Sequence, residues 1–423
     1  MSVRVAELVE ALREQAFVPR GSRRIGAEAE WIPVDAATGR VGALPIATVR
    51  RAAAGGGWCE EPSPYGAPRF TLPGGGMVSF EPGGQIEYSS VPSRSASVVA
   101  AAVRDVFARL RRSADEDGLV LRAVGIDPVT RPECAALRLG GHRYRAMDAY
   151  FRTIGPAGAR MMRQTAAFQV SVDPGVDPGA DWRLLNALAP YVVAIFANSP
   201  VYARAETGCR SYRAETWRTL DPSRTGIFAG DDPAAEYIAF ALRAPAILLG
   251  DEGESGESSV WRPFGEWLDE AAGAAVGNAE SAAHLTTIDA EWAAHLTTMF
   301  PEVRPRGAFE VRSADAIDTE WAVVPMALLG GLLYDGESAR AAADVAGAPD
   351  AGRLVAAGRL GLRDPSIAAT AAELAALAVA GCRRLGAGFL DPADLETAEE
   401  FFRRYTSRGR SPADDASAVA ALA

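Results

Sequence analysis

Apolar and polar residues alternate in four short stretches of this chain, which is the pattern of β-strands that bury one face. The stretches are 25–31 (IGAEAEW), 84–90 (GQIEYSS), 167–173 (AFQVSVD) and 308–313 (AFEVRS). Side chains two residues apart in a strand point the same way. Each stretch therefore places two polar side chains on one face, and the pairs are Glu28 with Glu30, Gln85 with Glu87, Gln169 with Ser171, and Glu310 with Arg312.

Longer patterns predict the remaining elements of the fold. Helical spacing and breaks predict helices within 1–22, 93–118, 143–154, 184–200 and 231–243. Strands are predicted at 24–34, 85–91, 119–126 (buried) and 166–173, with an irregular Gly/Pro-rich stretch at 53–76. Because the strands alternate in polarity and follow no regular βαβ order, we predict an α+β fold with a mainly antiparallel sheet. One face of the sheet is expected to be polar, and helices are expected to cover the other.

The chain contains 43 basic residues, and all of them are arginine. The absence of lysine excludes P-loop and protein-kinase sites, and it excludes enzymes that use a Schiff-base lysine. Any phosphate group would have to be bound by arginine side chains or metal ions. The net charge of −11 argues against general nucleic-acid binding, which needs clustered positive charge.

The N-terminal sequence predicts an amphipathic helix rather than a signal peptide, and no apolar run is expected to reach the roughly 20 residues that span a bilayer. The four cysteines form no CxxC pair and no metal-binding spacing. These features predict a cytoplasmic protein that binds no membrane. Three histidines, with no GxSxG or HExxH motif, give no support to a serine hydrolase or a zinc peptidase.

The paired polar residues indicate a metal site, because hard divalent cations such as Mg²⁺ prefer carboxylate and amide oxygens. Pro82 and the two glycines after it force a turn that presents Glu81 just before the strand with Glu87. An arginine beside Glu310 suits a phosphoryl group that is transferred next to the metal. The alternative is an ordinary sheet with a solvated face, in which Glu310 and Arg312 form a structural salt bridge.

A second polar segment, 197–226, concentrates arginines beside an aromatic residue in a region that is expected to be loop-like. These residues are Arg204, Arg210, Arg213, Arg218, Arg224 and Trp217. Arginines near a metal site suit a substrate that carries carboxylates and phosphates. The alternative is a solvated basic loop on the surface.

Seven motifs occur in the order of a known enzyme family and extend over nearly the whole chain. They are GAEAEW (26–31), FEPGGQIEYSS (80–90), RYRAMDAYF (143–151), MMRQTAAFQVSVD (161–173), ANSPVY with SYRAETWRTLDPSRTG (197–226), HLTTMFPEVRPRGAFEVRSADA (295–316) and RGRSPADD (408–415). Together they resemble the glutamate–cysteine ligases of the plant and bacterial type, a family that includes the enzyme opening ergothioneine synthesis in actinobacteria. The resemblance implies a fold similar to the catalytic domain of glutamine synthetase, in which an antiparallel sheet curves around metal ions.

The same resemblance implies one catalytic domain over residues 1–423, mostly helical from about 322 and frayed after about 415. It implies ATP-dependent joining of the γ-carboxylate of glutamate to the amine of cysteine, for ergothioneine or glutathione synthesis. Two alternatives stay open: a ligase with another amine acceptor, and a degenerate homologue that binds nucleotide or amino acid without turnover. The oligomeric state is not predicted.

Residue roles follow from the resemblance by motif position. The expected ligands of Mg²⁺ or Mn²⁺ are Glu28, Glu30, Glu81, Glu87, Gln169 and Glu310. Arg312 is expected to contact the γ-phosphate of ATP beside Glu310. The expected contacts of substrate carboxylates or nucleotide are Arg143, Arg213, Arg224 and Trp217. One departure is Ser171, where the family usually has asparagine.

Overall fold

The computed structural model describes the backbone of residues 3–249, 261–275 and 281–415, and their side chains except at 272–275 and 281–287. The strands are β1 (Ile25–Asp35), β2 (Cys59–Glu61), β3 (Arg69–Thr71), β4 (Met77–Phe80), β5 (Ile86–Ser89), β6 (Leu119–Arg122), β7 (Phe168–Val172), β8 (Val201–Tyr202), β9 (Ala205–Glu206), β10 (Val303–Pro305) and β11 (Phe309–Val311). The helices are α1 (Val3–Ala16), α2 (Ile46–Gly56), α3 (Ala96–Glu116), α4 (His142–Ile154), α5 (Ala157–Gln164), α6 (Pro178–Ile195), α7 (Tyr212–Arg218), α8 (Pro233–Arg243), α9 (Phe264–Ala275), α10 (Ser281–Leu296), α11 (Val324–Tyr334), α12 (Gly336–Ala346), α13 (Ala351–Leu360), α14 (Pro365–Leu385) and α15 (Pro392–Arg404).

Nine strands form one antiparallel sheet in the part of the chain that the structure describes. Their order across the sheet is β10-β11-β7-β1-β5-β4-β3-β2, and β6 pairs with the C-terminal end of β1. β8 and β9 form a separate hairpin. The predicted antiparallel sheet within a mixed fold of strands and helices is therefore confirmed.

β1 is the central strand, and its two faces have different neighbours. Ala29 and Trp31 are buried on one face, where Trp31 packs against Phe107 of α3 with ring centroids 5.4 Å apart. Helix α11 contacts β1 as well. The alternate positions carry Glu28 and Glu30. The alternation seen in the sequence therefore separates a helix-covered apolar face from a polar face.

Several predicted elements differ from the structure in extent. The stretch 53–76, predicted as irregular, contains the end of α2 and the strands β2 and β3. Its glycines and prolines mark the connections, and the strands between them are too short to show a periodic pattern. The buried strand predicted at 119–126 ends at Arg122, and Val120 is 44% exposed because β6 pairs only with β1.

The helix predicted at 184–200 is longer at its start and shorter at its end. It begins at Pro178, where the side chain of Asp177 accepts the backbone N–H of Ala180. Aspartate followed by proline is a helix-start signal that the apolar run alone did not reveal. Pro190 lies inside the helix, which ends at Ile195.

α14 is the one described helix that is long and apolar enough to cross a membrane, which corrects the expectation that no segment reaches that length. It contacts α11, α12 and α15, and it buries Ile367, Leu374 and Ala378. Length and composition do not separate a core helix from a membrane-spanning one. The tail predicted to be frayed after about 415 lies outside the described residues.

Candidate active site

The strand register brings the predicted polar pairs onto one face of the sheet. Glu30 on β1 lies opposite Glu87 on β5, and Glu28 lies opposite Gln169 on β7. Glu310 lies on β11, the next strand beyond β7. Residues that are far apart in the sequence therefore face a common space.

A cavity of about 310 Å³ opens on this face. Nine of the residues predicted for the site line it: Glu28, Glu30, Glu81, Glu87, Gln169, Arg143, Arg213, Trp217 and Arg312. Glu310 lies directly behind this lining, where it contacts Arg312. Arg224 is not part of the lining. We call this space the substrate cavity.

Four carboxylates form an acidic side of the substrate cavity: Glu28, Glu30, Glu81 and Glu87. Burial raises the pKa of Glu28, Glu81 and Glu87 to about 8 and that of Glu30 to about 7, and repulsion among these carboxylates raises the pKa values further. In the absence of a cation, the fold therefore disfavours simultaneous ionisation of the four carboxylates. A divalent cation bound by oxygen ligands would neutralise their charge.

The donor chemistry of the acidic side fits Mg²⁺ or Mn²⁺, but its oxygens do not form a ready-made metal cluster. Among the described residues, no three acidic, histidine or cysteine side chains lie close enough together to hold an ion. Glu30 Oε2 accepts the backbone N–H of Ala167 at 2.9 Å, and Glu87 Oε1 accepts the hydroxyl groups of Ser79 and Ser89 at 3.2 and 3.3 Å. Metal binding here would draw these carboxylates away from their present partners.

Five arginines also line the cavity, and we call them its basic side: Arg143, Arg213, Arg304, Arg306 and Arg312. Glu310 is held between two of them, with Oε1 2.8 Å from Nη2 of Arg304 and 2.6 Å from Nη1 of Arg312. Burial alone would raise the pKa of Glu310, but the two guanidinium groups outweigh it and lower the pKa to about 2. Glu310 is thus a permanent carboxylate that arginine already neutralises, so binding a metal would require it to loosen these contacts.

Arg312 and Arg213 flank one aromatic ring. Both guanidinium groups lie 5.8 Å from the ring centroid of Trp217. Arg312 also donates to Gln169 Oε1, and Arg213 donates to the backbone oxygen of Arg312 at 2.8 Å. These contacts hold two guanidinium groups in fixed positions beside the cavity, as the binding of a planar or tetrahedral anion requires.

Arg143 and Arg224 have different surroundings. Arg143 lines the cavity, and its guanidinium donates to Thr297 Oγ1 at 3.0 Å and to the backbone oxygen of Thr297 at 2.7 Å. Arg224 is fully buried away from it, 3.1 Å from Asp221, and donates to Thr298 Oγ1 at 2.7 Å. These partners of Arg224 all lie within the fold, so its predicted contact with substrate or nucleotide stays a prediction.

Sequence analysis missed several residues of the cavity lining, chiefly Arg304, Arg306, Tyr65 and Tyr144. Arg304 and Arg306 are two residues apart in and just after β10, which is the spacing that revealed the acidic pairs. That signal was present in the sequence. Tyr65 lies in the stretch predicted as irregular, where no periodicity could point to it.

Gln85 lies just before β5, and its amide closes a turn. Its Oε1 accepts the N–H of Gly83 at 2.9 Å, and its Nε2 donates to the backbone oxygen of Thr165 at 2.7 Å. A Cβ atom on Gly83 would lie 1.9 Å from the backbone oxygen of Arg163, so the turn requires glycine there. This tightly packed turn fixes Glu81 at the cavity.

The four raised carboxylates are expected to lower the stability of the metal-free protein as the pH rises from about 5 to about 8. Their folded pKa values exceed those of the unfolded chain, so the folded state binds more protons in this window. For each additional proton that the folded state binds relative to the unfolded state, the free energy of unfolding falls by roughly 1.4 kcal/mol as the pH rises by one unit. Thermal unfolding in EDTA at successive pH values isolates this contribution when wild type and Glu87→Gln are compared.

Glu87→Gln should raise the melting temperature of the metal-free protein at pH 8 and reduce its decline with pH. Glu60→Gln, at an exposed carboxylate on β2, is the matched control and should leave the decline unchanged. Equal pH profiles for wild type and Glu87→Gln would show that Glu87 does not contribute to the loss of stability with rising pH.

Comparison with known proteins identifies similar chains. The model of glutamate–cysteine ligase family 2 matches residues 24–420. A glutamate–cysteine ligase, EgtA, from Mycolicibacterium smegmatis is 37% identical over 358 residues, which cover 81% of this chain and 78% of the relative. EgtA from Mycobacterium tuberculosis is 35% identical over 360 residues, covering 81% of this chain and 77% of the relative.

A solved structure has a similar fold despite little sequence identity. It is the crystal structure of a glutamate–cysteine ligase (GshA) from Francisella tularensis in complex with AMP. The two folds superpose with a TM-score of 0.51 and 11% identity, over 93% of this chain and 84% of the other. At this identity the match concerns the fold alone.

Proposed function

Because this chain belongs to glutamate–cysteine ligase family 2, we propose that it joins the γ-carboxylate of L-glutamate to the amine of L-cysteine at the expense of ATP. The observation that carries the proposal is the substrate cavity, which brings four carboxylates and five arginines together. Such a cavity suits the simultaneous binding of a metal ion, phosphates and an amino-acid carboxylate. The relatives named as glutamate–cysteine ligases support the choice of substrates.

The chemistry of the reaction explains why the cavity needs both carboxylates and arginines. A carboxylate is a poor acyl donor, because its leaving group would be oxide. Transfer of the γ-phosphoryl group of ATP to the glutamate γ-carboxylate forms an acyl phosphate and releases ADP. The neutral amine of cysteine then attacks the acyl carbon, and phosphate leaves as the amide bond forms.

The acidic side is proposed to hold Mg²⁺ or Mn²⁺ through Glu28, Glu30, Glu81, Glu87 and Gln169, with Glu310 as a further ligand. When bound, the metal would neutralise charge on the phosphates. Burial and mutual repulsion raise the pKa values of the four glutamates, and this supports the proposal, because a bound cation would favour their ionised forms.

Arg312 is proposed to contact the transferring phosphoryl group, with Glu310 and Arg304 fixing its position. Arg312 Nη1 is oriented by Glu310 and Gln169, so its charge is aimed before the substrate arrives. Arg143 and Arg213 are proposed to bind carboxylates or phosphates from the cavity wall. Trp217 would hold the guanidinium groups in place rather than bind a substrate by hydrogen bonding.

Apolar and sulfur-containing side chains line another part of the cavity: Met77, Met147, Met161, Met162 and Phe300. Such a surface excludes water, which protects an acyl phosphate from hydrolysis. It also suits the small, polarisable thiol of cysteine as the acceptor side chain. All four cysteines of the chain are free, in keeping with the proposed cytoplasmic location and synthesis of a low-molecular-weight thiol.

ADP release from the purified protein tests the proposal. With ATP, Mg²⁺ and glutamate, adding cysteine should increase ADP formation and yield γ-glutamylcysteine detectable by its mass. If ADP formation does not respond to cysteine but does respond to another amine, that amine is the acceptor substrate. Binding of ATP without any release of phosphate, across a panel of amines, would overturn the proposed catalysis.

A further inference from the structure

A second cavity, of about 760 Å³, lies apart from the substrate cavity. Its wall consists of the end of β6 and the residues after it, segment 198–201, the turn between β8 and β9, residues 318–321, and C-terminal residues as far as Asp415. Within the described part of the chain, the two cavities have no lining residue in common. Its volume falls in the range of small-molecule sites, roughly 300–1,000 Å³.

Most of this second cavity is apolar. Leu121, Ile126, Val129, Val201 and Trp321 contribute aliphatic and aromatic surface. Concave apolar surfaces of this size bind ligands with a hydrocarbon or aromatic body, and a few polar groups fix their orientation.

Two arginines bring unneutralised positive charge to one end of the second cavity. In the described structure, neither Arg122 nor Arg204 lies within 4.0 Å of a carboxylate. Nε of Arg122 is buried without a hydrogen-bond partner, and Nη2 of Arg204 donates to the backbone oxygen of Thr38 at 3.4 Å. Nη2 of Arg122 lies 3.6 Å from the position of a Cβ atom on Gly39. Both guanidinium groups therefore lie near the turn that follows β1.

The other charged groups of the lining are Asp318, Glu320, Arg404 and Asp415, and Glu320 interacts electrostatically with both Asp318 and Arg404. Asp415 lies 2.9 Å from Arg404 and 2.8 Å from Arg410, and it accepts the hydroxyl of Tyr405 at 2.8 Å. Glu320 lies close enough to Arg404 to help raise the pKa of that guanidinium, after Asp415 as the main cause. Among the described residues, Arg122 and Arg204 have no carboxylate within 4.0 Å, so their positive charge is available to a ligand, whereas Asp318 and Glu320 add negative charge elsewhere in the lining.

The backbone fixes Arg204 at the rim of the second cavity in an unusual conformation. Ala203 and Arg204, the two residues that join β8 to β9, have φ angles of 49° and 66°. Such two-residue turns usually carry asparagine and glycine, because other side chains are strained there. The N–H of Arg204 donates to the backbone oxygen of Pro128 at 2.7 Å and holds this arrangement. Strain of this kind is concentrated at functional sites.

Hydrogen bonds connect residues that line the second cavity to Arg213, which lines the substrate cavity. Asn198 and Ser199 line the second cavity, and both donate to Asp315 Oδ2, at 2.8 and 2.7 Å. Ser199 Oγ accepts the backbone N–H of Arg213 at 3.1 Å, and the guanidinium of Arg213 lies 3.8 Å from Asp315 Oδ1. A ligand that displaces Ser199 would therefore move an arginine of the substrate cavity.

We propose that the second cavity is an effector site for a small organic anion with an apolar body. Arg122 and Arg204 bind its anionic group, and its occupancy alters substrate binding through Ser199, Asp315 and Arg213. The effect on turnover rests on the proposed ligase function, whereas binding of the anion does not. Separate measurements of binding and kinetics therefore distinguish failure of this proposal from failure of the proposed function.

Calorimetry with three ligands that share one apolar body tests the binding. 4-Phenylbutyrate should bind the full chain with one molar equivalent, and 4-phenylbutanol and 4-phenylbutylamine should bind at least tenfold more weakly. Saturating glutamate should shift the affinity for 4-phenylbutyrate by the same factor by which 4-phenylbutyrate shifts that for glutamate, and it should not abolish binding, because the two cavities are separate.

Three variants locate the bound anion. The double variant Arg122→Gln with Arg204→Gln should weaken 4-phenylbutyrate binding at least tenfold and leave basal turnover unchanged. Val129→Trp, at a half-buried position of the apolar lining, should block binding by filling the space. Arg50→Gln, at a surface arginine paired with Glu60, is the matched control and should bind normally.

Several outcomes would overturn the proposal. Competition with glutamate, together with normal binding by the double variant, would place the anion in the substrate cavity. Equal affinity for 4-phenylbutyrate and 4-phenylbutylamine would show that Arg122 and Arg204 do not bind the anionic group. No binding to the full chain, with binding to a chain that ends at Asp415, would show that the chain's own end excludes the ligand.

The kinetic readout tests the connection between the two cavities. 4-Phenylbutyrate should change the KM for glutamate at least threefold in wild type and leave it unchanged in the double variant, since coupled sites affect each other's affinity reciprocally. Tight binding with an unaltered KM and kcat would refute the effector role.

Discussion

Glu28→Gln should abolish Mg²⁺-dependent turnover while leaving the protein folded. Glu28 lies on the central strand, lines the acidic side, and has its pKa raised by burial and by neighbouring carboxylates. The amide keeps the size of the side chain but removes the negative charge that a divalent cation needs. Losing several kcal/mol of metal-dependent stabilisation corresponds to a fall in kcat of at least about 100-fold. Steady-state ADP release at several Mg²⁺ concentrations measures the loss.

The structure makes Glu28 a cleaner test than Glu310. Glu310→Gln would leave Arg304 and Arg312 buried beside a neutral amide, so a loss of activity there could reflect misfolding, since breaking a buried ion pair costs about 3–5 kcal/mol. Glu60→Gln again serves as the surface control and should keep full activity. Near-normal turnover of Glu28→Gln at low Mg²⁺ would remove the metal-site proposal.

Arg312→Ala should lower kcat by roughly 10³-fold, as the loss of an arginine at a transferring phosphoryl group does. ATP affinity should change far less, because the arginine is proposed to act on the transferring group and not on the bound nucleotide as a whole. The fold should tolerate the change, since Arg304 still neutralises Glu310 through a two-pronged contact. Single-turnover phosphoryl transfer and equilibrium ATP binding, measured side by side, separate the two effects.

Arg312→Lys distinguishes charge from geometry at the same position. The ammonium keeps the charge but cannot reproduce the planar fork that contacts Glu310 and Gln169, so we expect a loss between wild type and alanine. Arg50→Ala should be silent. A variant Arg312→Ala that binds ATP much more weakly, with an unchanged single-turnover rate once saturated, would reassign Arg312 to nucleotide binding.

Alternating polarity made much of this site predictable. Because Glu28 and Glu30 are two residues apart within an apolar strand, the sequence indicated their common face before any partner strand was known. The same rule predicted the faces on which Glu87 and Gln169 lie. The rule depends only on the geometry of an extended chain, which explains why it held across strands from distant parts of the sequence.

The arginines were harder to place, because a loop-like segment has no periodicity that separates inside from outside. Arg213 reaches the substrate cavity while Arg224, eleven residues later, is enclosed by Asp221 and Thr298. Both are buried, and only the tertiary structure shows which of them faces the cavity. Arg304 was missed for another reason: its strand spacing with Arg306 was present in the sequence but was overlooked.

Sheet order also sets when the site can form during folding. β11, which carries Glu310, reaches β1 only through β7, so Glu28 and Glu310 come from segments almost 300 residues apart in the chain. Closing such long loops is slow, because the chain loses entropy before distant contacts compensate. Until then Glu28 lacks the guanidinium groups of Arg304 and Arg312, which lower its pKa in the folded protein. A newly synthesised chain should therefore complete the cavity late, and ribosome-bound chains that stop before β10 should lack three of its five arginines and, with them, the proposed contact to the transferring phosphoryl group.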